Sequence, residues 1–576
     1  MLVTVPTRRT HDLLILGSGL AGLRAAVEAA RAGRGELDLA IMAKTQLVRA
    51  HSVCAEGGTA AVLRPEEGDS LAQHAFDTVK GSDFLADQDV VVRFVEEIPR
   101  EIVLLENWGI PWSRREDGRI DQRPFGGHSF PRAVFAADKT GFFEMHTLYD
   151  TLQRYAGQIT QYEDLMATSL LVEEGRFSGV LALDLVRGEF VVLLAKALII
   201  ATGGACRIYG FTTYSHTVTG DGMALAYRAG LGLKDMEFVQ FHPTGLVPSG
   251  VLITEAARGE GGYLVNNRGE RFMKDYAAKM MELAPRDIVA RAEMREIEEG
   301  RGFGEPQGLG YVLLDLRHLG PDKINERLPL IREVAIKFAG KDPIEEPIPI
   351  RPAAHYSMGG IHADINGATE VPGVWAAGEV SCLSLHGANR LGSNSTAECL
   401  VWGRITGEAA ARWAQKEKRA REPRRETIAG EMERVMRLFS ARGKENPFAL
   451  RQELRQVMDQ KAGVFREEKG LEEGLGAIRQ LKERFGRVGL ADKSLVYNTE
   501  LVGVLELENM LDLAELIVAG ALARKESRGG HARRDHPARD DQNFLCHTLA
   551  RKGPKGPEFS YLPVTITSWP PEERKY

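Results

Sequence analysis

Cysteine is scarce in this chain of 576 residues, and its five cysteines are scattered. They are Cys54, Cys206, Cys382, Cys399 and Cys546, and no two of them form a CxxC pair. This spacing provides neither a zinc site nor the ligands of an iron–sulfur cluster. An odd number of separated cysteines indicates reduced thiols and a cytoplasmic compartment.

Long apolar runs and an excess of basic residues are also missing. The most apolar stretch, 190–201, is interrupted by Lys196 and falls far short of the roughly 20 residues that a spanning helix needs. The segment before the first strand lacks the apolar core of a signal peptide. A net charge of −6 argues against a nucleic-acid-binding surface, so we expect no nucleic-acid partner. Any membrane association would have to come through a partner.

The remaining composition is that of a globular α/β protein, with 43% hydrophobic and 27% charged residues. The length predicts several domains, or one large domain with insertions. The predicted fold class is α/β, with a Rossmann-like nucleotide-binding domain, an inserted α+β capping domain, a C-terminal bundle of three or four helices and an extended C-terminal region. The predicted boundaries are 1–235 and 352–407 for the nucleotide-binding domain, 236–351 for the capping domain, 408–526 for the helical domain and 527–576 for the C-terminal region.

A nucleotide-binding turn is predicted close to the N-terminus. A buried strand at 12–16 is followed by GxGxxG, formed by Gly17, Gly19 and Gly22, and then by a helix at 23–32. These glycines allow a tight turn and let backbone N–H groups meet a pyrophosphate at the helix N-terminus. A turn of this kind without a ligand is the less favoured interpretation. The next strand ends in Lys44 and not in the acid of a plain NAD site, which weakens an NAD interpretation.

Later segments return to the same nucleotide. Strands at 161–172, 177–185 and 190–200 are predicted to be antiparallel, and the last ends near Gly203, where glycine permits close approach to a ligand. Asp221 opens a helix, either as its N-cap or as an acceptor for cofactor hydroxyls, and the two roles are compatible. A third strand end carries Glu379. Ser395 directly precedes a helix whose N-terminus would stabilise the negative charge of a reduced flavin ring.

The stretch 49–61, RAHSVCAEGGTAA, is interpreted as the loop that holds the reactive ring of a flavin. His51 is the candidate for covalent attachment, and Glu56, Gly57 and Gly58 would run along the ring, with Ser52 between them and the attachment point. A single histidine in a glycine-containing loop is usually just a polar loop residue. The functional interpretation therefore depends on the rest of the chain.

Histidine and arginine recur beside glycines and turn residues from 241 onwards. An arginine in such a place can grip a carboxylate with two parallel hydrogen bonds. Each of these residues alone is better explained as a surface ion pair, but several together between cofactor-contacting segments indicate a dicarboxylate substrate. The residues are His242, Thr254, Glu255, Arg258, Arg286, His355 and Arg390.

Motifs along the whole chain resemble the flavoprotein subunit of succinate dehydrogenase and quinol:fumarate reductase. They occur in order as LGSGLAGLRAA, RAHSVCAEGGTAAV, RPFGGHSF, MEFVQFHPTG, TEAARGEGGYLVN, ELAPRDIVARA, RPAAHYSMGGI and AAGEVSCLSLHGANRLGSNS. This resemblance implies succinate–fumarate interconversion with FAD bound covalently through His51. It also implies partners, namely an iron–sulfur subunit and, through it, membrane anchor subunits and the quinone pool. The chain would then lie on the inner face of the cell membrane.

The resemblance also implies roles for individual residues. His242, Thr254, His355 and Arg390 would clamp the two carboxylates while Phe125 lies over the substrate. Arg286 would transfer the proton, with Glu255 and Arg258 as its relay to solvent. Some relatives place a structural sodium ion where this chain has Ser357, Met358, Gly359 and Glu379. The implied cofactor contacts are Gly17, Gly19, Gly22, Lys44, His51, Ser52, Glu56, Gly57, Gly58, Gly203, Asp221, Glu379 and Ser395.

Direction and rival functions remain open at this stage. Glu56 and motifs such as HGANRLGSNS are closer to fumarate reductases, since many succinate dehydrogenases carry Gln in place of Glu56. L-aspartate oxidase shares the fold but usually lacks the attachment histidine, so His51 argues against it. Adenylylsulfate reductase is disfavoured by HPTG and HGANRLG. A catalytically silent FAD module acting in assembly or RNA binding is disfavoured by the intact set of Arg286, Glu255 and Arg258.

Overall fold

The computed structural model describes residues 5–305, 308–441 and 443–576. Its central sheet has seven strands, and the first strand of the chain pairs in parallel with a neighbour on each side. In order across the sheet the strands are Ile159–Tyr162, Leu39–Met42, Thr7–Leu16, Glu189–Ile200, Arg176–Asp184 and Leu165–Glu173, with Val374–Ala376 paired to the end of Glu189–Ile200. The parallel half and the helices packed on it form the Rossmann-like domain that the sequence predicts.

Two glycines explain how the first helix, Leu20–Gly33, packs so closely on the sheet. A Cβ at Gly17, where φ is +108°, would lie 2.2 Å from the carbonyl oxygen of Ala201. A Cβ at Gly22 would lie 2.0 Å from the carbonyl oxygen of Gly17. A side chain at either position would force the helix away from the turn. Gly22 therefore contributes by allowing this close packing. The helix Asn394–Lys416 packs against Leu20–Gly33 and covers the same face.

The inserted segment is α+β, as predicted. Its antiparallel sheet contains, in order, Val239–Leu246, Ile348–Ser357, Val312–Asp315 and Tyr263–Val265. Its helices are Ala256–Gly259, Arg286–Glu298, Gly320–Arg327 and Pro329–Ala339. They enclose a separate apolar core that includes Leu246, Leu264 and Leu314.

The helical segment contains four helices, Arg425–Ser440, Pro447–Lys461, Glu468–Phe485 and Thr499–Ala523. Thr499–Ala523 is the most buried of them. Within residues 5–305, 308–441 and 443–576, no helix combines the length and apolar character needed to cross a bilayer. The remaining α-helices and β-strands are Thr59–Ala60, Leu71–Gly81, Gln88–Trp108, Gln122–Arg123, Ala133–Val134, Thr140–Gln153, Asp221–Arg228, Leu233–Lys234, Gly360–His362, Ser381–Cys382, Phe465–Arg466, Ala532–Arg533, Asp541–Phe544, Cys546–Gly553 and Gly556–Pro563.

One prediction of local structure was wrong. The single strand predicted at 161–172 is two strands, because Asp164 has a φ of +52° and turns the chain between them. The C-terminal region is more regular than its sequence pattern predicted, since Cys546–Gly553 and Gly556–Pro563 form a hairpin at the edge of a five-stranded sheet. The second hairpin strand is largely exposed, so it shows little of the apolar alternation by which half-buried strands are recognised.

His547 fastens this hairpin to the nucleotide-binding domain through a buried ion-pair network. Its Nδ1 lies 2.7 Å from a carboxylate oxygen of Asp235 and its Nε2 lies 3.3 Å from Asp87. Burial lowers the pKa of His547, but the two carboxylates outweigh burial and Lys234, so its pKa is raised. The network contributes its whole stabilisation at pH values below about 6.5, the pKa of histidine in the unfolded chain. This stabilisation is lost as the pH rises through the higher pKa of His547 in the folded protein.

We therefore expect the thermal stability of the wild type to approach that of a His547→Gln variant as the pH rises from 6 to 9. The difference in Tm between the two should shrink by an amount on the order of 1–3 °C. Differential scanning fluorimetry at several pH values measures this, with the exposed His318 changed to Gln as the control. A Tm difference that is constant with pH would show that the imidazole of His547 is not held protonated by the two carboxylates.

Candidate active site

A cavity of about 950 Å³ lies between the carboxyl ends of the central strands and the capping segment. Its size is at the upper end of the range for cofactor and substrate pockets. Of the predicted site residues it is lined by Gly17, Gly19, Lys44, His51, Ser52, Glu56, Gly57, Gly58, Phe125, Gly203, Asp221, His242, Thr254, Glu255, Arg286, His355, Glu379, Arg390 and Ser395. The other predicted residues, Gly22, Arg258, Ser357, Met358 and Gly359, do not line it.

One end of the cavity is formed by the turn at Gly17–Gly19. The first N–H groups of helix Leu20–Gly33 face this end, and such groups bind phosphate oxygens well. Ser52 Oγ accepts a hydrogen bond from Leu20 N–H at 3.3 Å, which ties the His51 loop to the helix N-terminus. The two segments predicted to bind one cofactor are therefore adjacent.

Lys44 is held between two carboxylates beside this end. Its Nζ lies 2.6 Å from Asp221 and 2.7 Å from Glu506. Burial lowers the pKa of Lys44, but the two carboxylates outweigh it, so its pKa is raised and the side chain is charged. Asp221 is the first residue of helix Asp221–Arg228, and the N-cap of this helix is Gly220. The prediction that Asp221 could be the N-cap was therefore wrong. The ion pair holds the side chains of Lys44 and Asp221 at the cavity wall.

His51 begins a short 3₁₀ turn, His51–Cys54, in the middle of the cavity wall. Its Nδ1 accepts a hydrogen bond from Ser215 N–H at 3.4 Å, and its ring lies 4.7 Å from that of Tyr214. Burial lowers the pKa of His51 to about 4. The imidazole is therefore neutral at physiological pH, and its one ring lone pair, on the Nδ1 that faces Ser215 N–H, can attack an electrophile once that long hydrogen bond is given up.

The loop after His51 is shaped by Arg123, a residue that the sequence analysis did not single out. Its guanidinium donates hydrogen bonds to the backbone oxygens of Glu56 at 3.0 Å and of Gly57 at 2.7 Å. A Cβ at Gly57 would lie 2.8 Å from the Phe125 ring, so glycine is required where the ring lies against the loop. Burial and then Asp138 raise the pKa of Glu56 well above its usual range, although Arg123 and a hydrogen bond from the Thr254 backbone lower it.

Two histidines of the predicted clamp lie in contact with each other on the cavity wall. The ring centroids of His242 and His355 are 4.7 Å apart. The backbone N–H of Thr244 donates to His242 Nδ1 at 3.2 Å, so the ring proton of neutral His242 is on Nε2, the atom left for a ligand. Burial, and then the charge of Arg286, lowers the pKa of both histidines well below its usual value. Both are neutral hydrogen-bonding groups.

Arg390 supplies the cation of the clamp. It is 2% exposed, and its guanidinium carbon lies 4.2 Å from the centre of the Tyr356 ring. Its Nε is buried without a hydrogen-bond partner in the part of the chain that the structure describes. A buried arginine with an unused donor next to two neutral histidines can bind a carboxylate with little competition.

Arg286 and Glu255 form a buried ion pair at the same wall. Arg286 Nε donates to Glu255 at 2.7 Å, and Gln240, also missed from the sequence, accepts from Arg286 Nη1 at 3.0 Å. Glu255 also accepts from the backbone N–H of Gly126 at 2.7 Å. Burial, and then the charges of Arg390 and Arg258, lowers the pKa of Arg286 to about 9 although Glu255 raises it. Arg286 is therefore a weaker base than an ordinary arginine and can release a proton.

The residues of the predicted sodium site are only partly brought together on the cavity wall. Glu379 lines the cavity and accepts hydrogen bonds from Ser357 N–H at 2.8 Å and from the Tyr214 hydroxyl. Gly359 packs on the Asp235 backbone, where a Cβ would lie 2.3 Å from a carbonyl oxygen. In the described ranges no group of three or more His, Cys, Asp or Glu side chains is arranged to hold a metal ion. The sodium site, which would also use backbone oxygens, stays a prediction.

Comparisons with known proteins cover nearly the whole chain. A family model described as FAD binding domain matches residues 12–396, and one described as fumarate reductase flavoprotein C-term matches 451–576. The chain is 47% identical to the fumarate reductase flavoprotein subunit of Mycobacterium tuberculosis, with 98% of this chain and 99% of that protein covered. It is 42% identical to the succinate dehydrogenase flavoprotein subunit of Rickettsia conorii, with 98% of each covered. Among solved structures, a substituted E. coli quinol fumarate reductase FrdA has a TM-score of 0.95 at 44% identity, with 98% and 99% covered.

Proposed function

The chain belongs to the family of fumarate reductase and succinate dehydrogenase flavoprotein subunits, and from this membership we propose that it interconverts succinate and fumarate. The observation that carries the proposal is the arrangement of Arg286 beside Arg390, His242 and His355 around one cavity. This arrangement joins a group that can exchange a proton to a clamp for carboxylates. Both are needed for a reaction at the carbons between two carboxylates.

The residues around the cavity fit FAD. The glycine turn and helix N-terminus at one end suit a pyrophosphate. Glu56 Oε2, Thr202 Oγ1 and Ser393 Oγ are buried polar atoms of cavity-lining residues that lack hydrogen-bond partners within the described ranges, and a bound flavin would provide partners. When bound, FAD supplies the acceptor or donor of a hydride. We infer that it is attached through His51, whose neutral imidazole can act as the nucleophile.

The clamp acts by fixing the substrate. His242 Nε2–H can donate to one carboxylate, Arg390 can bind the other, and Thr254 lines the wall beside them. Phe125 restricts the position of the substrate carbons from the side of the His51 loop. Holding a small dianion at two ends gives the reacting carbons a single orientation, which is worth several kcal/mol of the barrier.

Arg286 transfers the proton. In fumarate reduction it gives a proton to one substrate carbon, and in succinate oxidation it accepts one. Its depressed pKa makes both steps feasible, and Glu255 at 2.7 Å holds the guanidinium in place and balances its charge. General acid–base catalysis of this kind contributes about 10²–10⁴-fold to a rate.

The two directions are therefore expected to depend on pH in opposite ways. Fumarate reduction needs protonated Arg286, so its kcat should fall above pH about 9, whereas succinate oxidation needs the neutral form and should rise towards pH about 9. His242 and His355 are neutral throughout this range and contribute no acidic limb. Measuring kcat in both directions from pH 6 to 10 at saturating substrate, on the same preparation, tests the function and the role of Arg286. If kcat changed with pH in the same way in both directions, the role of Arg286 would be contradicted.

The electrons must be exchanged with partners. Because the sequence carries no CxxC cluster motif, we propose that an iron–sulfur subunit docks beside the cavity and links it to membrane anchor subunits and the quinone pool. The chain would then lie at the inner face of the cell membrane through these partners. Glu56 favours fumarate reduction as the physiological direction. The pair of Arg286 and Glu255 favours this function over a silent assembly role. His51 favours it over aspartate oxidation, and the HPTG and HGANRLG motifs favour it over adenylylsulfate reduction.

A further inference from the structure

Two hydroxyl groups connect the wall of the cavity to a carboxyl behind it. Thr396, on the first turn of helix Asn394–Lys416, lines the cavity. Its Oγ1 donates a hydrogen bond to the backbone oxygen of Gly58 at 3.1 Å and lies 2.8 Å from Oγ1 of Thr59. The hydroxyl of Thr59 is hydrogen-bonded to Oε1 of Glu144. Glu144 is therefore joined to two segments that are expected to contact FAD, the loop at Gly58 and the N-terminus of this helix.

Glu144 takes no part in the site described above. It lies on helix Thr140–Gln153, is 0% exposed and does not line the cavity. Its Oε2 has no hydrogen-bond partner among the described residues. A buried carboxyl with one oxygen unpaired lowers stability, and an apolar side chain could fill the same space without that loss. Packing alone therefore does not explain an acid at this position.

The surroundings of Glu144 provide no cation to hold it ionised. The elements that pack against its helix are Leu20–Gly33, Gln88–Trp108 and the turns Leu47–Arg49 and His51–Cys54. Across the described ranges, no Lys, Arg or His side chain lies within 4.0 Å of its carboxyl oxygens. Cys399 is the titratable group on which Glu144 acts. Burial, and then three carboxylates including Glu144, raise the pKa of that thiol well above its usual value, so the thiol is neutral.

Glu144 changes its protonation state within the working pH range. Burial raises its pKa to about 8, although the hydrogen bond from Thr59 lowers it. When the carboxyl is protonated it donates to Thr59, and Thr59 can then donate to Thr396, because each hydroxyl has one proton to give. When the carboxyl is ionised, Thr59 must donate to Glu144 and no longer to Thr396. Loss of one proton therefore reverses the Thr59 hydroxyl and leaves a negative charge behind the cavity wall.

A negative charge at this position opposes reduction of the flavin. The cavity-lining residues at the start of helix Asn394–Lys416 are Ser395, Thr396 and Cys399. The N-terminus of a helix carries partial positive charge, which stabilises the negative charge of a reduced flavin. An ionised Glu144 weakens this effect, because charges in a buried region are screened little by solvent and salt. A protonated Glu144 leaves it intact.

We propose that Glu144 is a positioning residue that acts on the flavin through Thr59 and Thr396 and makes the cofactor harder to reduce at alkaline pH, which rests on the proposed function with FAD in this cavity. Each catalytic cycle still moves one hydride and one proton between the two acids and the site. Glu144 exchanges one proton with solvent and no electrons. It therefore shifts the equilibrium between oxidised and reduced cofactor without entering the overall reaction.

The test is a potentiometric titration of the bound flavin between pH 6.5 and 9.5 in the flavin-loaded complex. The wild type is compared with Glu144→Gln and with the control Asp150→Asn, an exposed position on the same helix. We expect E144Q and the wild type to have the same potential at pH 6.5, where both side chains are neutral. At pH 9.5 the equilibrium constant for reduction should be about tenfold greater in E144Q, a difference of about 30 mV for a two-electron couple. D150N should follow the wild type throughout.

Other carboxyls at the cavity do not confuse this comparison. Burial also raises the pKa values of Glu56 and Glu379, but both residues are present in every protein compared. A purely structural effect of the substitution would shift the potential by the same amount at every pH. Infrared difference spectra between the two pH values give a second readout. The carboxylic-acid C=O band that the wild type loses at pH 9.5 should be smaller by one carboxyl in E144Q.

A potential difference that is constant with pH would overturn the proposal, and so would an infrared change that is identical in the two proteins. If E144Q does not retain flavin, Glu144→Leu, which places an apolar side chain in the buried space, is judged by the same two measurements. Wild-type protein that binds no FAD, or that does not interconvert the two acids, would instead refute the proposed function, so the two failures are distinguishable.

Discussion

Replacing Arg286 with glutamine is expected to lower turnover by about 10³-fold or more in both directions while flavin and dicarboxylate binding persist. Glutamine keeps a hydrogen-bonding group, but its side chain is shorter and its amide is neither an acid nor a base near neutral pH, so the acid–base contribution of about 10²–10⁴-fold is lost. Glu255 keeps its hydrogen bond from Gly126 N–H and its ion pair with Arg258, which preserves the local fold. Lysine should not rescue turnover, since it cannot reproduce the fixed guanidinium geometry.

This expectation is measured by steady-state kinetics of Arg286→Gln and Arg286→Lys, with malonate binding and gel fluorescence as checks on the site. Arg295→Gln is the matched control, because Arg295 is an exposed residue on the same helix. The control should retain wild-type kcat. Turnover within tenfold of the wild type in Arg286→Gln would mean that another group transfers the proton.

Replacing His51 with serine is expected to separate the two directions of the reaction. The variant should bind FAD without the covalent bond, reduce fumarate, and oxidise succinate at least tenfold more slowly. An imidazole substituent withdraws electrons from the flavin ring and raises its potential, so its loss makes the flavin a weaker oxidant. For a two-electron couple, a tenfold change in the equilibrium corresponds to about 30 mV.

Fluorescence of the denatured protein on a gel shows whether the bond is absent, and potentiometric titration of the bound flavin gives the change in potential. His318→Ser, an exposed substitution outside the cavity, serves as the control and should leave the potential unchanged. Succinate oxidation at the wild-type rate in His51→Ser would refute the tuning role. A covalent flavin in that variant would show that the attachment point lies elsewhere.

Much of the fold and the site could be predicted because the motifs have local physical requirements. Gly17 and Gly22 are needed where backbone atoms would collide with any Cβ, so the nucleotide turn is recognisable from a few residues. The clamp and relay residues stand beside glycines in motifs of their own, and the structure brings all but Arg258 of them to the wall of one cavity.

What could not be predicted depends on contacts between distant parts of the chain. Arg123 supports a loop 66 residues away through backbone oxygens, and Gln240 meets Arg286 across 46 residues, so neither has a local pattern. The burial of Arg258 follows from the packing of the capping segment and not from the sequence around it. Asp164 takes a left-handed conformation that glycine usually marks, which hid the break between two strands.

Turnover of the purified complex with fumarate and reduced viologen tests most directly whether this chain interconverts the two acids. We expect one succinate to form for every two electrons consumed, succinate to be oxidised to fumarate when an electron acceptor replaces the viologen, and both activities to vanish in Arg286→Gln. Formation of no succinate by fully flavin-loaded wild-type enzyme, or undiminished activity in that variant, would contradict the proposed function and the site assigned to it.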